Sequence, residues 1–275
     1  MSKFFTFFVL GFFFTFPMDA QIRYLPADTI IFGKFLKYSQ QSGHSIIHTA
    51  RFFMDTPYVG GTLEGGDKEQ LVVNLRELDC VTFVENVMAL YLMLQSERHT
   101  FDNFYRILQQ IRYRNGIIDG YLSRLHYFSD WLDNSRQKGI ISLPPITGCR
   151  NFTPAVSFMS THCDNYQALK AHPDWCKQMT VIEKDINKLK LCYIPKEQVK
   201  IYEKTIQTGD IIAITTHIQG LDVAHTGFAI VQNGKLYLLH ASYEAKKVII
   251  SDETLHNYLA RRKNHSGVMA GRVKY

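Results

Sequence analysis

The sequence predicts an α+β fold, and three observations carry that expectation. Helical patterns recur up to about residue 137 and again over 174–190, with the rest of 145–200 hard to read, and strand patterns follow from about 210. An Asn233-Gly234 pair sits between two of those strand patterns. Helices followed by an antiparallel sheet is the α+β order. With 275 residues, 46% of them hydrophobic and 20% charged, the chain can build a sizeable core. No repeat, low-complexity tract or long like-charge run interrupts it.

At the N-terminus, Lys3 precedes an apolar run from Phe4 to Phe16, and Pro17-Met18-Asp19-Ala20 follows. This pattern predicts a signal peptide over residues 1–20 and export to the periplasm or cell envelope. The run is shorter than the roughly 20 residues a membrane span needs, so no stable span is expected after cleavage. Residues 21–275 then read as a single domain. Two helices are expected over 28–41 and 44–54, broken at Ser42-Gly43. The loop Pro57-Tyr58-Val59-Gly60-Gly61-Thr62 is rich in turn formers, and Leu71–Leu75 reads as a short strand. Val81–Leu94 has the most regular helical spacing, with Val84, Val87, Met88, Tyr91 and Leu94 on one stripe. Further helices fit 100–112, 121–137 and 174–190. Strands are expected at 210–214, 225–232, 235–243 and 247–251, then a helix over 252–263 and a last strand near 267–274.

Five cysteines stand at 80, 149, 163, 176 and 192. An odd number in an exported chain leaves one unpaired. The last four cluster and can form two disulfides in three connectivities, which leaves Cys80 as the odd one out. The formal charge of +6 is unchanged by removing residues 1–20, since Lys3 and Asp19 leave together. A basic surface suits an anionic envelope polymer. Lys and Arg are scattered and no groove-reading motif appears, so nucleic acid is a poor fit.

Cys80 follows Asp79 at the point where the helical pattern begins. With Asp79 as N-cap, Cys80 takes the first helical position, where the helix dipole and free N–H groups favour a thiolate. Those N–H groups can also face an oxyanion. The Asp79 charge opposes thiolate formation, so its role is capping. A cysteine at a helix start is by itself usually a small core residue, and the decisive signal lies elsewhere.

That signal is the hairpin. Asn-Gly between alternating runs predicts a two-residue turn, with Gln232 opposite Lys235. Counting back, Gly227 faces His240 and His225 faces Ser242, so the two histidines are diagonal neighbours about 7–8 Å apart on one sheet face. Gly227 and Ala229 on that face leave room for a close helix, and Gly227 keeps space open beside His240. Phe228, Ile230, Tyr237 and Leu239 cover the other face.

Together, Pro57-Tyr58-Val59-Gly60-Gly61, Asp79-Cys80, His225-Thr226-Gly227 and His240-Ala241-Ser242 resemble the NlpC-type cell-wall hydrolases of the papain-like superfamily. Ser123-Arg124-Leu125-His126-Tyr127-Phe128-Ser129-Asp130-Trp131, Tyr193-Ile194-Pro195 and Thr208-Gly209-Asp210-Ile211-Ile212 extend the resemblance to the N-acetylmuramoyl-L-alanine amidase-like branch. The resemblance implies a papain-like core with the nucleophile helix packed on an antiparallel sheet. It further implies Cys80 as nucleophile, His225 as base and His240 as the residue orienting it. Tyr58 would line the substrate cleft, with Gly227 and Ser242 as further substrate-binding candidates. Val81-Thr82 departs from the Ser-Gly common after the superfamily's cysteine. A largely helical insertion around 98–200 is expected to build a cleft wall.

The expected reaction is amide hydrolysis in peptidoglycan or muropeptide fragments, without a cofactor, at the bond between N-acetylmuramic acid and L-alanine. The alternatives are a stem-peptide endopeptidase cutting between D-glutamate and the diamino acid, and a non-catalytic envelope binding protein. A metal site from His225, His240 and a cysteine lacks any short-spaced ligand pair.

Overall fold

The computed structural model describes residues 22–41, 44–66, 68–146 and 148–274. The expected signal peptide and the Ser42-Gly43 break lie outside the described residues. Strand β1 (Ile22–Arg23) pairs in parallel with β2 (Leu71–Val72), beside helices α1 (Pro26–Ser39) and α2 (Ile46–Arg51). The central helix α3 (Cys80–Leu94) starts where the sequence places it. Asp79 accepts N–H bonds from Val81 and Thr82, and the Thr82 hydroxyl oxygen accepts the Asp79 N–H. Twelve of its fifteen residues are buried, so it is a core helix enclosed on nearly every side.

Helix α4 (Phe101–Arg112) starts at the Thr100 cap and α5 spans Phe128–Gln137. The helix expected over 121–137 is thus divided into a 3-10 turn at Tyr121–Ser123, an extended stretch and α5. The extension has a physical cause. Arg124 bridges to Tyr113, Leu125 N–H donates to the Arg112 carbonyl, and the buried Arg124 guanidinium pairs with Glu64 and Glu69. Burying that guanidinium with partners overrides helical spacing. Strands β3 (Ile141–Ser142) and β4 (Arg150–Phe152), helices α6 (Phe158–Thr161), α7 (Gln167–Ala171) and α8 (Pro173–Ile186), and strand β5 (Leu191–Pro195) follow. Residues 98–200 therefore supply three strands as well as helices. Disulfides join Cys149 to Cys192 and Cys163 to Cys176, and Cys80 is free.

After α9 (Val199–Tyr202) come β6 (Ile211–Thr216), β7 (Val223–Gln232), β8 (Lys235–Ser242), β9 (Lys247–Ile250), α10 (Leu255–Ala260) and β10 (His265–Val273). The main sheet runs β4-β5-β10-β6-β7-β8-β9, with β3 also on β10, and all its pairings are antiparallel. Asn233 and Gly234 both have positive φ (50° and 72°), as the expected hairpin turn demands. Gln232 pairs with Lys235, and the ladder runs back in the expected register to Phe228–Leu239. Two cores sandwich the sheet. One holds Phe228, Ile230 and Leu239 against α3 residues such as Phe83, whose ring meets Phe228 edge-on at 5.7 Å. The other holds Ala229, Leu236 and Leu238 against Leu255, Tyr258 and Leu259 of α10.

Candidate active site

Cys80 occupies the first position of α3 and His225 lies on β7. Both line a cavity of about 220 Å³ with Val81, His126, Met159 and Asp222 among its other walls. The β7–β8 ladder ends at Phe228–Leu239, and just beyond it the Thr226 N–H favours the Cys80 sulfur, as do the N–H groups of Cys80 and Val81. His225 Nε2 and His240 Nδ1 are 2.6 Å apart, so one ring donates to the other across the hairpin. Tyr258 closes the pair from α10, with its ring edge-on to His240 at 5.5 Å. The sheet face and the diagonal relation expected of the two histidines are as the hairpin register requires.

Burial pushes the Cys80 thiol up to about 12, and the Asp79 carboxylate adds to that rise. The helix-start environment opposes the shift and does not overcome it, contrary to the expectation of a thiolate favoured by the dipole. Burial, and then the neighbouring His240, hold His225 well below the usual imidazole range. Burial also lowers His240, to about 4. Burial thus favours the neutral thiol and the neutral imidazoles in the resting site.

The first-turn N–H groups are less free than the sequence implies. Those of Val81 and Thr82 are bonded to Asp79 Oδ1, and that of Phe83 to the Asp79 carbonyl. Among the described residues, the Cys80 N–H alone in that turn is not taken by Asp79; it faces the Cys80 sulfur. Tyr58 stands beside it, held by its N–H on the Lys246 carbonyl and by pairing with Leu78. Its phenol is raised to about 12 by burial and then by the Cys80 and Asp79 charges, so it stays protonated. Tyr243 meets the Tyr58 ring edge-on at 5.6 Å.

Gly227 is placed differently from expectation. A Cβ on Gly227 would lie 2.7 Å from the Leu239 oxygen and 2.8 Å from His240 Cβ. The glycine therefore lets β8 approach and leaves no open space beside His240. The helix on that face is α10, whereas α3 lies on the other. Ser242 Oγ accepts the Ala245 N–H and lines a separate cavity with His240 and Glu244. Three charged side chains are committed to ion pairs: Arg272 to Asp210, Glu85 to Arg112, and Arg124 to Glu64 and Glu69.

The family model for AmiA-like proteins, N-acetylmuramoyl-L-alanine amidase-like, matches residues 48–268. The chain belongs to the AmiA-like family. Similar solved structures include an N-acetylmuramoyl-L-alanine amidase from Bacteroides uniformis. It is 36% identical, with a TM-score of 0.80 over 85% of this chain and all of that one. A Bacteroides fragilis protein that carries the provisional name xylanase is 41% identical, with a TM-score of 0.78 over 82% and 99% of the two chains. A Legionella pneumophila protein at 22% identity shares the fold, with a TM-score of 0.68 over 90% and 95%. No protein of curated function matches in sequence. For this AmiA-like chain, the match takes in Cys80, His225 and His240 together with the cavity that His126 and Asp222 wall.

Two wall residues carried no individual role in the sequence reading. Asp222 is buried and accepts bonds from the Ser129 N–H and hydroxyl and from the Val223 N–H. It thereby ties the start of α5 to the start of β7, the two sides of the cavity. His126 lay inside a quoted motif without a role. Asp222 is 93 residues from Ser129, so no local spacing could have revealed it. Among the described residues, no group of three or more His, Cys, Asp or Glu side chains is placed to hold a metal ion, and no helix is long and apolar enough to cross a membrane.

Proposed function

We propose that the protein is a cysteine amidase that hydrolyses the bond between N-acetylmuramic acid and L-alanine in peptidoglycan or its fragments. In this reading the core is of the papain-like NlpC type and the enzyme works in the periplasm or cell envelope. The observation that carries the mechanism is the 2.6 Å contact of His225 with His240, with His225 lining the same cavity as Cys80.

Cys80 attacks the lactyl carbonyl while its proton passes to His225. For His225 to receive a proton at Nδ1, its Nε2 must carry one and donate to His240 Nδ1, which fixes both tautomers. The developing oxyanion is met by the Cys80 N–H and the Tyr58 hydroxyl, a donor held neutral by its raised pKa. His225 then protonates the leaving alanine nitrogen, and the C–N bond breaks to give a thioester on Cys80. Water, deprotonated by the same imidazole, hydrolyses the thioester and releases the muramic acid carboxylate. The family relationship and the amidase from Bacteroides uniformis support the choice of bond.

The test is digestion of defined muropeptides by wild type and Cys80→Ala, followed by mass analysis. Release of the intact peptide from the sugar by wild type alone supports the proposal. Cleavage between D-glutamate and the diamino acid would replace it with an endopeptidase. Binding without any Cys80-dependent product would make the protein a non-catalytic envelope module.

A further inference from the structure

His126 lies between the Tyr121–Ser123 turn and α5, on the wall of the cavity that also holds Cys80 and His225. Its Nε2 is 2.9 Å from the Tyr121 carbonyl oxygen. A carbonyl oxygen can only accept, so Nε2 carries the proton and Nδ1 is left as a lone pair. Nδ1 has no partner among the described residues, and it is not among the buried polar atoms sealed from solvent without one. The ring is braced by the Tyr121 ring at 4.5 Å. Burial first, then the Arg124 and Arg114 charges, hold the imidazole neutral with a pKa of about 3.

The surroundings narrow what such an acceptor can meet. Val81, Phe128, Met159, Leu221 and Val223 supply the apolar part of the cavity lining, and Tyr166 adds a phenol to it. The Asp222 carboxylate is spent on Ser129 and Val223, and the Tyr127 hydroxyl on Glu183. Arg124 and Arg114 are themselves paired, with Glu64 and Glu69 and with Asp130. With Asp222 spent, the described wall offers no free carboxylate to draw an ammonium group. A neutral group that only donates fits best, and an amide N–H is that group.

We propose that His126 is a specificity-determining residue whose Nδ1 accepts a hydrogen bond from a substrate amide N–H adjoining the scissile amide. This rests on the amidase reading above. A muramoyl peptide offers two such groups, the acetamido N–H on the sugar side and the alanyl–glutamyl N–H on the peptide side. Leaving a desolvated acceptor unpaired forfeits both the bond and the solvation of the acceptor, which amounts to about 10- to 100-fold in kcat/KM.

The test uses the parent muramoyl peptide and two analogues in which one N–H is replaced by oxygen, an acetoxy sugar and an alanyl–glutamyl ester. Each is given to wild type, His126→Phe, which keeps a ring against Tyr121, and His126→Asn, whose Oδ1 falls near the place of Nδ1. The rate of Cys80 alkylation by iodoacetamide reports whether each variant keeps an intact site. The expected result is a loss of about 10- to 100-fold for His126→Phe on the parent, partly recovered in His126→Asn. One analogue should be poorer for wild type by the same factor yet equal for wild type and His126→Phe. If His126→Phe loses the same factor on the parent and both analogues, or loses nothing on the parent, the assignment is overturned while the amidase reading stands. If wild type leaves the parent uncut, both fall.

Discussion

Replacing His240 tests the pairing on which the reaction scheme depends. His240 is 1% exposed, and its Nδ1 lies 2.6 Å from His225 Nε2. In the transition state His225 becomes an imidazolium, so the bond it donates to His240 is charge-assisted. Such a bond contributes about 1.5–3 kcal/mol. At 1.36 kcal/mol per tenfold, His240→Ala should lower kcat by roughly 10- to 150-fold, and by more if the freed His225 ring also adopts the wrong tautomer. His240→Asn keeps an acceptor near Nδ1 and should recover part of the loss. A second readout separates positioning from mere structure. Burial first, and then His240, depress His225, but His240 is itself lowered to about 4 and is neutral at working pH. There it acts only as the acceptor that favours the imidazolium, so removing it should lower the His225 pKa. The base must be neutral to work, so the acid limb of kcat/KM should move to lower pH in His240→Ala. Steady-state hydrolysis of a muramoyl peptide across pH measures both effects, with circular dichroism to show a folded variant. A folded His240→Ala with wild-type kcat and an unmoved acid limb would refute the orienting role.

Three further outcomes are expected. Asp79→Asn keeps the cap but removes the charge that, after burial, raises the Cys80 thiol, so the midpoint of alkylation rate against pH should fall; an unchanged midpoint contradicts that account. Gly227→Ala forces a Cβ to within 2.8 Å of His240 Cβ. It should cost about 1–3 kcal/mol in denaturant melts through overpacking, with a disproportionate loss of kcat because the displaced residue orients His225. Loss of the Cys149–Cys192 disulfide, with a sequence separation of 43, should cost about 4 kcal/mol. Loss of Cys163–Cys176, with a separation of 13, should cost about 3 kcal/mol, both read as shifts in thermal midpoint and free energy of the paired serine variants.

What could be read in advance was what local rules encode. The Asn233-Gly234 turn fixes register, and register places two histidines 15 residues apart on one face. The Asp79 cap fixes where α3 begins. The strands β7 and β8 announce themselves by the alternating runs that flank the turn, and β6 by a short apolar run. The Tyr121–Tyr127 segment could not be read, because its backbone follows the burial of Arg124 against Glu64 and Glu69, some 60 residues away. The strands β3 and β4 are illegible for a related reason: two or three residues, paired with β10 and β5 respectively, carry no period of their own. Gly227 was misread because a missing Cβ is equally consistent with open space and with close approach, and only the position of β8 decides between them. The oxyanion donors were misjudged because the same Asp79 that marks the helix start also occupies two of its N–H groups.

The raised thiol and the depressed imidazoles have one cause and one consequence. Burial between the two cores disfavours charge on Cys80, His225 and His240 alike. A site that kept a permanent thiolate would have to compensate that charge with fixed donors, yet most of the first turn's donors are spent on Asp79. In the proposed reaction the groups rest neutral and charge arises as the proton crosses from sulfur to His225, with His240 to meet the imidazolium and the Cys80 N–H and Tyr58 to meet the oxyanion. Preorganisation of this kind acts on charge that develops during the reaction, not on charge already present, and that difference is what lowers a barrier.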